Sequence, residues 1–449
     1  MKAPSNFSRC ISIVGPSQSG KTSLMESILH ICNQIPNKGK VGDNNTLSDH
    51  LPEEHDLKMS ISSGISNVQF MDEDYTFIDC PGSSEFINEF LQAARISDLC
   101  IVVIEPIKEK ILSLVPYFFY LNKMKIPHVL FINKVDNLNF DIKELLGTIQ
   151  EYSPLPLVIR QIPIREEDKI IGAADVIHER AYAYTENKPS EIVKIPEHLS
   201  STRDEIREKL LETLADFDDA LMEKILDDVP TSTEEIYEHL KKDIATNNIV
   251  EVLTGSAENE TGIRRLLKSI RHDCPSHEET LKRNQIKTTN DTASVQVFKT
   301  NFIPHRGKQS IVRVWSGELQ EGNTLQDNIR LQGMVSLKGK EFIKNSKVKA
   351  GDIVALSRVE SIKTGDLISD AEKETKKGHD LPISPQPVYA KAIRSIKRED
   401  DVKLSEALKE ILEADSSYLI ERNKVTQQLL IWGQGEIHLR VALNKLKNN

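Results

Sequence analysis

The chain has 449 residues, which is too long for one ordinary hydrophobic core and predicts two to four domains. Charged residues make up 28% of the chain and aromatic residues 5%, and the net charge is −10. This balance excludes a strongly basic nucleic-acid-binding domain, so we expect no sequence-specific DNA partner.

The apolar runs and the cysteines indicate the compartment. No apolar run approaches the ~20 residues needed to span a bilayer, so we expect no membrane partner. The five cysteines are scattered and form no Cys-x-x-Cys pair, which favours a reducing compartment. The first strand starts about ten residues in, which leaves no room for a signal peptide, and we therefore expect a cytoplasmic protein.

The first motif is a phosphate-binding loop. The apolar run Ile11–Val14 predicts a strand, and Gly15-x-x-x-x-Gly20-Lys21-Thr22 follows it and opens a predicted helix from Ser23. Backbone N–H groups of such a loop surround a polyphosphate, and the helix N-terminus favours its charge. Lys21 is predicted to reach the β- and γ-phosphates and Thr22 to bind Mg²⁺. The predicted binding residues here are Gly15, Ser17, Gln18, Ser19, Gly20, Lys21, Thr22 and Ser23.

From Ile11 to about His272 short apolar strands alternate with helices, as in a mainly parallel α/β sheet. Chemistry in such sheets lies at the carboxyl ends of the strands. The predicted strands are Ile11–Val14, Val68–Phe70, Tyr75–Ile78, Leu99–Ile104, His128–Ile132 and Ile249–Leu253.

Asp79-Cys-Pro-Gly82 follows the third of these strands. Asp79 is suited to hold Mg²⁺, usually through water, and the Gly82 N–H to meet a γ-phosphate. An ordinary strand-ending turn is the alternative, because Pro-Gly marks turns in general.

Two further motifs predict guanine recognition. Asn133-Lys134-Val-Asp136 follows the fifth strand, and the Asp136 carboxylate can accept two hydrogen bonds from guanine, whereas adenine has neither donor. Ser256-Ala257 follows the sixth strand, where a backbone N–H can bond the guanine O6. The same aspartate disfavours a P-loop ATPase.

With four such motifs in this order, the chain resembles the translational GTPases, and most closely elongation factor G, from about Cys10 to its last residue. The resemblance implies GTP or GDP with Mg²⁺ as ligands and the ribosome as partner, and we expect a monomer. It places Lys21, Gly82 and Ser83 at catalytic positions, and Thr22, Ser60 and Asp79 at the metal.

The resemblance also implies a multi-domain α/β, β-barrel and α+β architecture. It predicts a P-loop GTPase domain over 1–281, with a subdomain inserted at about 152–247. A translation-factor β-barrel is predicted over 290–373 and an incomplete ferredoxin-like third domain over 386–449. The linkers are Lys282–Asn290 and Pro382–Pro387. Fourth and fifth domains are lacking, so we expect a shortened chain or a natural short form.

The insert carries most of the acidity. Between Thr185 and Asp243 there are 17 Asp and Glu against 8 Lys and Arg, a local balance of −9. Capping boxes at Thr202 and Ser232 predict two helix starts, and a stripe of apolar residues predicts one packed face: Ile206, Leu210, Leu214, Phe217 and Leu221. A solvated helix explains the charge, and a surface for the ribosomal stalk is the alternative that the resemblance implies.

The later domains carry two residues of interest. Trp315 is interpreted as a wall residue of the barrel rather than a ligand-stacking side chain, and His438 as helix-surface structure rather than catalytic. In the third domain we predict helices over Val402–Ala414 and Glu436–Leu446, with strands over Ser417–Arg422 and Gln427–Trp432.

Three departures from the family concern hydrolysis. Ser83 stands where the family has the histidine that positions the attacking water, and Gln18 stands where it often has an aspartate. In switch I, the segment Leu57-Lys-Met-Ser60 corresponds to the family's motif, and Leu57 stands where the family has an arginine, while Ser60 keeps the hydroxyl. We expect the long segment before it, Asn37–Asp56, to be a mobile switch. We therefore predict a GTPase with a low intrinsic rate, of translocation or recycling type; the alternative is a regulatory module that binds GTP or GDP and hydrolyses slowly or not at all.

Overall fold

The structure is a computed structural model, and it describes residues 7–136, 140–166, 169–178, 180–185, 190–287, 292–303, 306–326, 329–339, 341–370, 376, 384–395 and 397–448. Parts of both predicted linkers, residues 288–290 and 382–383, lie outside the described residues, as do residues 371–373 at the end of the predicted barrel.

Strands run through all of the predicted domains. In the first 283 residues they are β1 (Arg9–Val14), β2 (Gly64–Phe70), β3 (Glu73–Asp79), β4 (Leu99–Ile104), β5 (His128–Ile132), β6 (Leu157–Ile159), β7 (Gln161–Glu166), β8 (Lys169–Asp175), β9 (Ala181–Ala183), β10 (Glu191–Val193) and β11 (Val250–Thr254). Beyond them are β12 (Ser294–Ile303), β13 (Gly307–Ser316), β14 (Glu318–Gln320), β15 (Thr324–Leu325), β16 (Ile329–Arg330), β17 (Met334–Lys338), β18 (Glu341–Asn345), β19 (Lys347–Lys349), β20 (Ile353–Ser357), β21 (Leu367–Ser369), β22 (Tyr389–Ile393), β23 (Leu419–Arg422) and β24 (Leu429–Gly433).

The α-helices alternate with these strands. They are α1 (Lys21–Ile31), α2 (Pro52–Leu57), α3 (Ile87–Ile96), α4 (Lys108–Ile111), α5 (Val115–Lys123), α6 (Ile142–Gln150), α7 (Glu197–Ala215), α8 (Asp219–Leu226), α9 (Thr233–Ala245), α10 (Ile263–Asp273), α11 (His277–Arg283), α12 (Asp401–Ala414) and α13 (Glu436–Asn448). Short 3-10 helices include Val41–Asp43 and Ser84–Phe86. None of the helices in the described ranges is long and apolar enough to cross a membrane.

The chain forms two compact units. The P-loop unit comprises residues 11–46 and 97–283, and the barrel unit comprises residues 1–10, 47–96 and 284–449. In the P-loop unit the strands are ordered β1-β4-β5-β11-β6, and every neighbouring pair is parallel. The strands β1, β4, β5 and β11 are buried along their whole length, as parallel strands covered on both faces must be.

The insert folds partly as the sequence predicts. Strands β7 to β10 form a separate antiparallel sheet, and Ser232 caps α9 by accepting the N–H of Glu235 at 3.2 Å, which confirms the second predicted helix start and its N-cap. The first is wrong, because α7 already begins at Glu197 and Thr202 lies inside it. The apolar stripe is broken at Ala215, where α7 ends, and Phe217 is exposed in the turn before α8.

The barrel unit holds the β2–β3 hairpin and the strands β12 to β21. Five of these strands pair antiparallel in the order β21-β12-β13-β20-β17, and they surround an apolar core that includes Val297, Val312 and Leu356. Trp315 on β13 is 1% exposed and donates its ring N–H to Gln296 at 3.2 Å, so its interpretation as a wall residue is confirmed.

The last 60 or so residues of the barrel unit form a three-stranded antiparallel sheet, β22-β24-β23, with α12 and α13 packed on it. The predicted helices and strands are found here within a few residues. The interpretation of His438 is wrong: the side chain is fully buried, and its Nε2 bonds Asp415 Oδ2 at 3.0 Å. Its ring stacks on that of Tyr418 with centroids 3.8 Å apart.

Candidate nucleotide site

Two glycines of the phosphate loop occupy positions at which any side chain would clash with neighbouring atoms. Gly15 has φ +137°, and a Cβ there would lie 2.3 Å from the Val103 carbonyl oxygen. Gly20 has φ +90°, and a Cβ there would lie 2.2 Å from Asn133 Nδ2. Both backbone conformations are open mainly to glycine. The loop therefore packs directly on β4 and on the segment that follows β5.

Lys21 and Thr22 form the first turn of α1, directly after the loop. Lys21 is buried, and its ammonium group donates to the Pro16 carbonyl oxygen at 2.8 Å, across the loop. Thr22 is also buried, whereas Ser17 and Gln18 at the loop tip are exposed. A helix N-terminus, an ammonium group and a glycine-rich loop together favour an anion with several phosphate groups.

Asn133 joins the phosphate loop to the loop after β11. Its Nδ2 donates to the Ser19 carbonyl oxygen at 2.9 Å, and its Oδ1 accepts the Ala257 N–H at 2.9 Å. The Ala257 N–H, one of the backbone donors of the loop that is predicted to bond the guanine O6, thus has a protein partner in this structure. A base bound there would share this donor or displace Asn133 from it.

Asp136 presents a carboxylate of which one oxygen is engaged. Its Oδ2 accepts from Ser256 Oγ at 2.9 Å and from Asn259 Nδ2. Its Oδ1 is buried and has no hydrogen-bond partner among the described residues. A buried acceptor without a partner is costly, so the site fits a ligand that supplies N–H donors.

Lys134 is fixed by contacts on both sides. Its ammonium group donates to the Gln18 carbonyl oxygen at 2.8 Å and to the Glu105 carboxylate. Burial would raise the pKa of Glu105, but the ammonium groups of Lys110 and Lys134 outweigh burial and hold that pKa below its usual value. Glu105 therefore stays ionised at neutral pH and anchors Lys134 beside the phosphate loop.

The remaining predicted residues belong to the barrel unit. Asp79 ends β3 and is 1% exposed, and Gly82 and Ser83 follow it half-buried. Ser60 is half-buried two residues after Lys58, which ends α2 with φ +50°. A threonine or serine hydroxyl and a carboxylate are hard oxygen ligands, so Thr22, Ser60 and Asp79 suit Mg²⁺ by their chemistry.

Ser83 has a local structural role. Its hydroxyl accepts the Glu85 N–H at 3.3 Å and so caps the 3-10 helix Ser84–Phe86. A hydroxyl engaged in this way stays close to its own backbone. The segment Ser83–Phe86 is called switch II below.

Switch II is held by the third domain through contacts that the sequence analysis missed. The Glu85 carboxylate accepts the His438 N–H at 2.7 Å, in the first turn of α13. A Cβ on Gly435 would lie 2.4 Å from the Glu85 carboxyl carbon, so glycine is needed for this approach. Phe86 packs with Ile61 and Val441 in one apolar cluster. The available signal was the Gly433-x-Gly435 spacing ahead of a predicted helix.

A second polar contact, between Asn88 and Asp415, lies beside the one between Glu85 and His438. Asn88 Nδ2, on α3, donates to Asp415 Oδ1 at 2.8 Å, and the other oxygen of Asp415 bonds His438. Burial would raise the pKa of Asp415, but the hydrogen bond with His438 outweighs it and holds the pKa below its usual value. The charged Asp415 thus ties α3 to α13.

Two further contact residues, Lys38 and Asn259, lie near Asp136 and Ala257. Lys38 donates to the carbonyl oxygens of Ala257, at 3.1 Å, and of Glu258. Neither residue belongs to a motif, and no sequence pattern distinguishes them from other polar residues in loops.

The fold and these loops define a P-loop protein with a candidate guanine-nucleotide site. Residues 6–276 match the family "Elongation factor Tu GTP binding domain". Residues 292–371 match "Elongation factor G domain 2", and residues 384–449 match "Elongation Factor G, domain III".

An Elongation factor G-like protein from Synechocystis is 37% identical over the whole chain, which covers 66% of that protein. A crystal structure of a protein from Thermus thermophilus superposes with a TM-score of 0.87 at 25% identity, over 98% of this chain and 66% of that one. The chain belongs to the translational GTPases of the elongation factor G-like family, and it spans about two thirds of the length of these relatives.

Proposed function

We propose that the chain binds GTP and GDP with Mg²⁺ and hydrolyses GTP slowly on its own, as the GTPase part of an elongation factor G-like protein that acts on the ribosome in the cytoplasm. The observation that supports binding is the Asp136 carboxylate, one oxygen of which is buried without a hydrogen-bond partner among the described residues, on the same unit as the phosphate loop. In this proposal Lys21 and the loop backbone hold the phosphates, Asn133, Lys134 and Asp136 form the guanine site, and Thr22, Ser60 and Asp79 hold Mg²⁺. The ion would neutralise charge on the phosphates when bound.

The low rate is proposed from Ser83. Its hydroxyl is held by the Glu85 N–H and is too short to reach where an imidazole would end. Without that group, the attacking water lacks a positioning partner, which costs roughly 10²–10⁴ in rate. We infer that a ribosome or another partner supplies the missing group.

The test is GTP hydrolysis under multiple turnover, with and without ribosomes, by the 449-residue chain and by a fusion that adds the part of the Synechocystis relative that this chain does not cover. We expect a low rate alone and stimulation by ribosomes. Ser83→His should raise the intrinsic rate by roughly 10-fold or more, with Ser84→His, its neighbour in the same segment, as the matched control. An unchanged rate in Ser83→His would overturn the explanation from Ser83.

Ser83 also supports one alternative, a regulatory module that binds GTP or GDP without turnover. Tight GTP binding with no hydrolysis by either protein, with or without ribosomes, would establish the alternative. No GTP binding at all would overturn both.

A further inference from the structure

Asn259 lies outside every motif of the chain, yet its side chain contacts Asp136. Its Nδ2 donates to Asp136 Oδ2, the same oxygen that accepts from Ser256 Oγ. Its backbone N–H also donates to Ser256 Oγ, at 3.4 Å. Two donors from one loop therefore converge on one oxygen of the carboxylate.

The loop that carries Asn259 is closed on itself. Ser256 and Thr261 form a β-bridge, in which the Ser256 N–H donates to the Thr261 carbonyl oxygen at 2.9 Å. Gly262 ends the loop with φ +79°, and a Cβ there would lie 2.5 Å from the Thr254 carbonyl oxygen. Lys38 holds the loop from outside through the Ala257 carbonyl oxygen. The position of Asn259 is thus set by the loop rather than by its own side chain alone.

We propose that Asn259 is a positioning residue for guanine specificity, which orients the Asp136 carboxylate toward the base. This inference rests on the proposed function. A carboxylate rotates about its terminal bond, and that rotation is broad unless neighbours fix it. Asn259 and Ser256 fix Oδ2 and so set the plane of the carboxylate, whose other oxygen, Oδ1, is buried without a hydrogen-bond partner among the described residues.

The preference for guanine over hypoxanthine measures how well the Asp136 carboxylate is oriented. Guanine offers two donors to a carboxylate, its N1–H and its 2-amino group, and hypoxanthine offers only the first. A well-oriented carboxylate binds both donors of guanine and separates the two bases. A carboxylate that rotates freely loses part of that preference, because the second hydrogen bond requires both oxygens in the plane of the base.

The experiment compares the affinities of GDP and IDP, each with Mg²⁺, for the wild-type chain, Asn259→Ala and Asn259→Asp. Asn259→Asp keeps the shape and replaces the donor by an oxygen that repels Asp136. Glu258→Ala is the matched control, since Glu258 is the exposed neighbour in the same loop and no contact of its carboxylate with a described residue is seen.

We expect both Asn259 variants to reduce the preference for GDP over IDP by about 3- to 10-fold, the range of one ordinary net hydrogen bond, because they weaken the contact with the 2-amino group without removing the carboxylate. Glu258→Ala should leave the ratio unchanged. An equal loss of both affinities would assign Asn259 a merely structural role and overturn the inference, and so would an unchanged ratio in a folded variant.

The inference and the proposed function fail in distinguishable ways. A wild-type chain that prefers GDP to IDP, with the same preference in both Asn259 variants, would overturn the inference and leave the proposed function standing. A wild-type chain that binds neither nucleotide would overturn both.

Discussion

The base site and switch II are held by contacts of different origin. At the base site, Ser256 and Asn259 bond Asp136, and Asn133 and Lys38 bond the backbone of Ala257, all within the P-loop unit. Switch II is held instead by the third domain, through His438, Gly435 and Val441. The comparison indicates that the candidate base site is held by contacts within the P-loop unit, whereas switch II, which contains Ser83, is held by residues more than 300 positions away.

The largest expected effect tests the base site. Asp136→Asn replaces the acceptor for the two guanine donors by an amide, and we expect GDP affinity to fall by roughly 10³-fold or more. Xanthine presents an oxygen in place of the 2-amino group, so affinity for XDP should rise. Titration with fluorescent GDP and XDP measures both. Asp204→Asn, an exposed carboxylate on α7, is the control, and an equal loss in both variants would contradict a role in base recognition.

The next effect tests the contact between switch II and α13. Glu85→Ala removes a charged hydrogen bond and a carboxylate at a helix N-terminus, which together contribute about 2 kcal/mol. We expect the His438 amide to exchange its hydrogen faster, measured by hydrogen exchange with mass spectrometry, while GDP affinity stays as in wild type. Glu436→Ala, in the first turn of the same helix but exposed, should change exchange much less. Equal exchange rates of the His438 amide in both variants would contradict the role of Glu85 in holding switch II on α13.

The smallest effect is a dependence of folding stability on pH, with opposite sign for one buried group in each unit. Burial raises the pKa of Glu54, in the barrel unit, from 4.5 to about 7. The folded chain therefore favours the protonated form of Glu54. Its contribution to stability is fully present below the unfolded pKa of 4.5 and is lost as the pH rises toward 7. Burial lowers the pKa of His128, in the P-loop unit, from 6.5 to about 4, so its contribution is present above pH 6.5 and lost as the pH falls toward 4.

Thermal unfolding between about pH 5 and pH 8 measures both contributions. Relative to wild type, Glu54→Gln should gain stability as the pH rises through this range. His128→Asn should gain stability relative to wild type as the pH falls. Parallel curves for wild type and both variants would contradict the two assignments. The controls are Glu53→Gln, at the half-buried neighbour of Glu54, and His198→Asn, at an exposed histidine.

The sequence predicts the parallel sheet and its loops well because the evidence is local. The strands β4 and β5 have the predicted bounds, since continuous apolar runs end at Glu105 and Asn133. The P-loop and Asn133 are recognisable because each works through residues close in the chain. In the insert the prediction fails where two patterns compete: Thr202 resembles a helix start, but α7 begins at Glu197, directly after Pro196.

The contacts of Glu85, Asn259 and His438 were not predictable because they depend on segments distant in sequence. His438 lies in a polar helix whose spacing suggests solvent, yet Tyr418 and Phe86 cover its ring. Glu85 and His438 are 353 positions apart, and no local pattern encodes that distance. Long-range polar pairs of this kind become visible only in the folded chain.

The distance between Glu85 and His438 also fixes an order of events during synthesis. A ribosome makes Glu85 first and His438 353 residues later, at about 5–20 residues per second. The carboxylate that caps α13 is therefore made, with the hairpin β2–β3 next to it, roughly 20 to 70 seconds before the helix that needs it. The surface onto which α13 packs is thus complete in sequence before α13 is made, so the apolar face of the helix can be covered as soon as the helix forms.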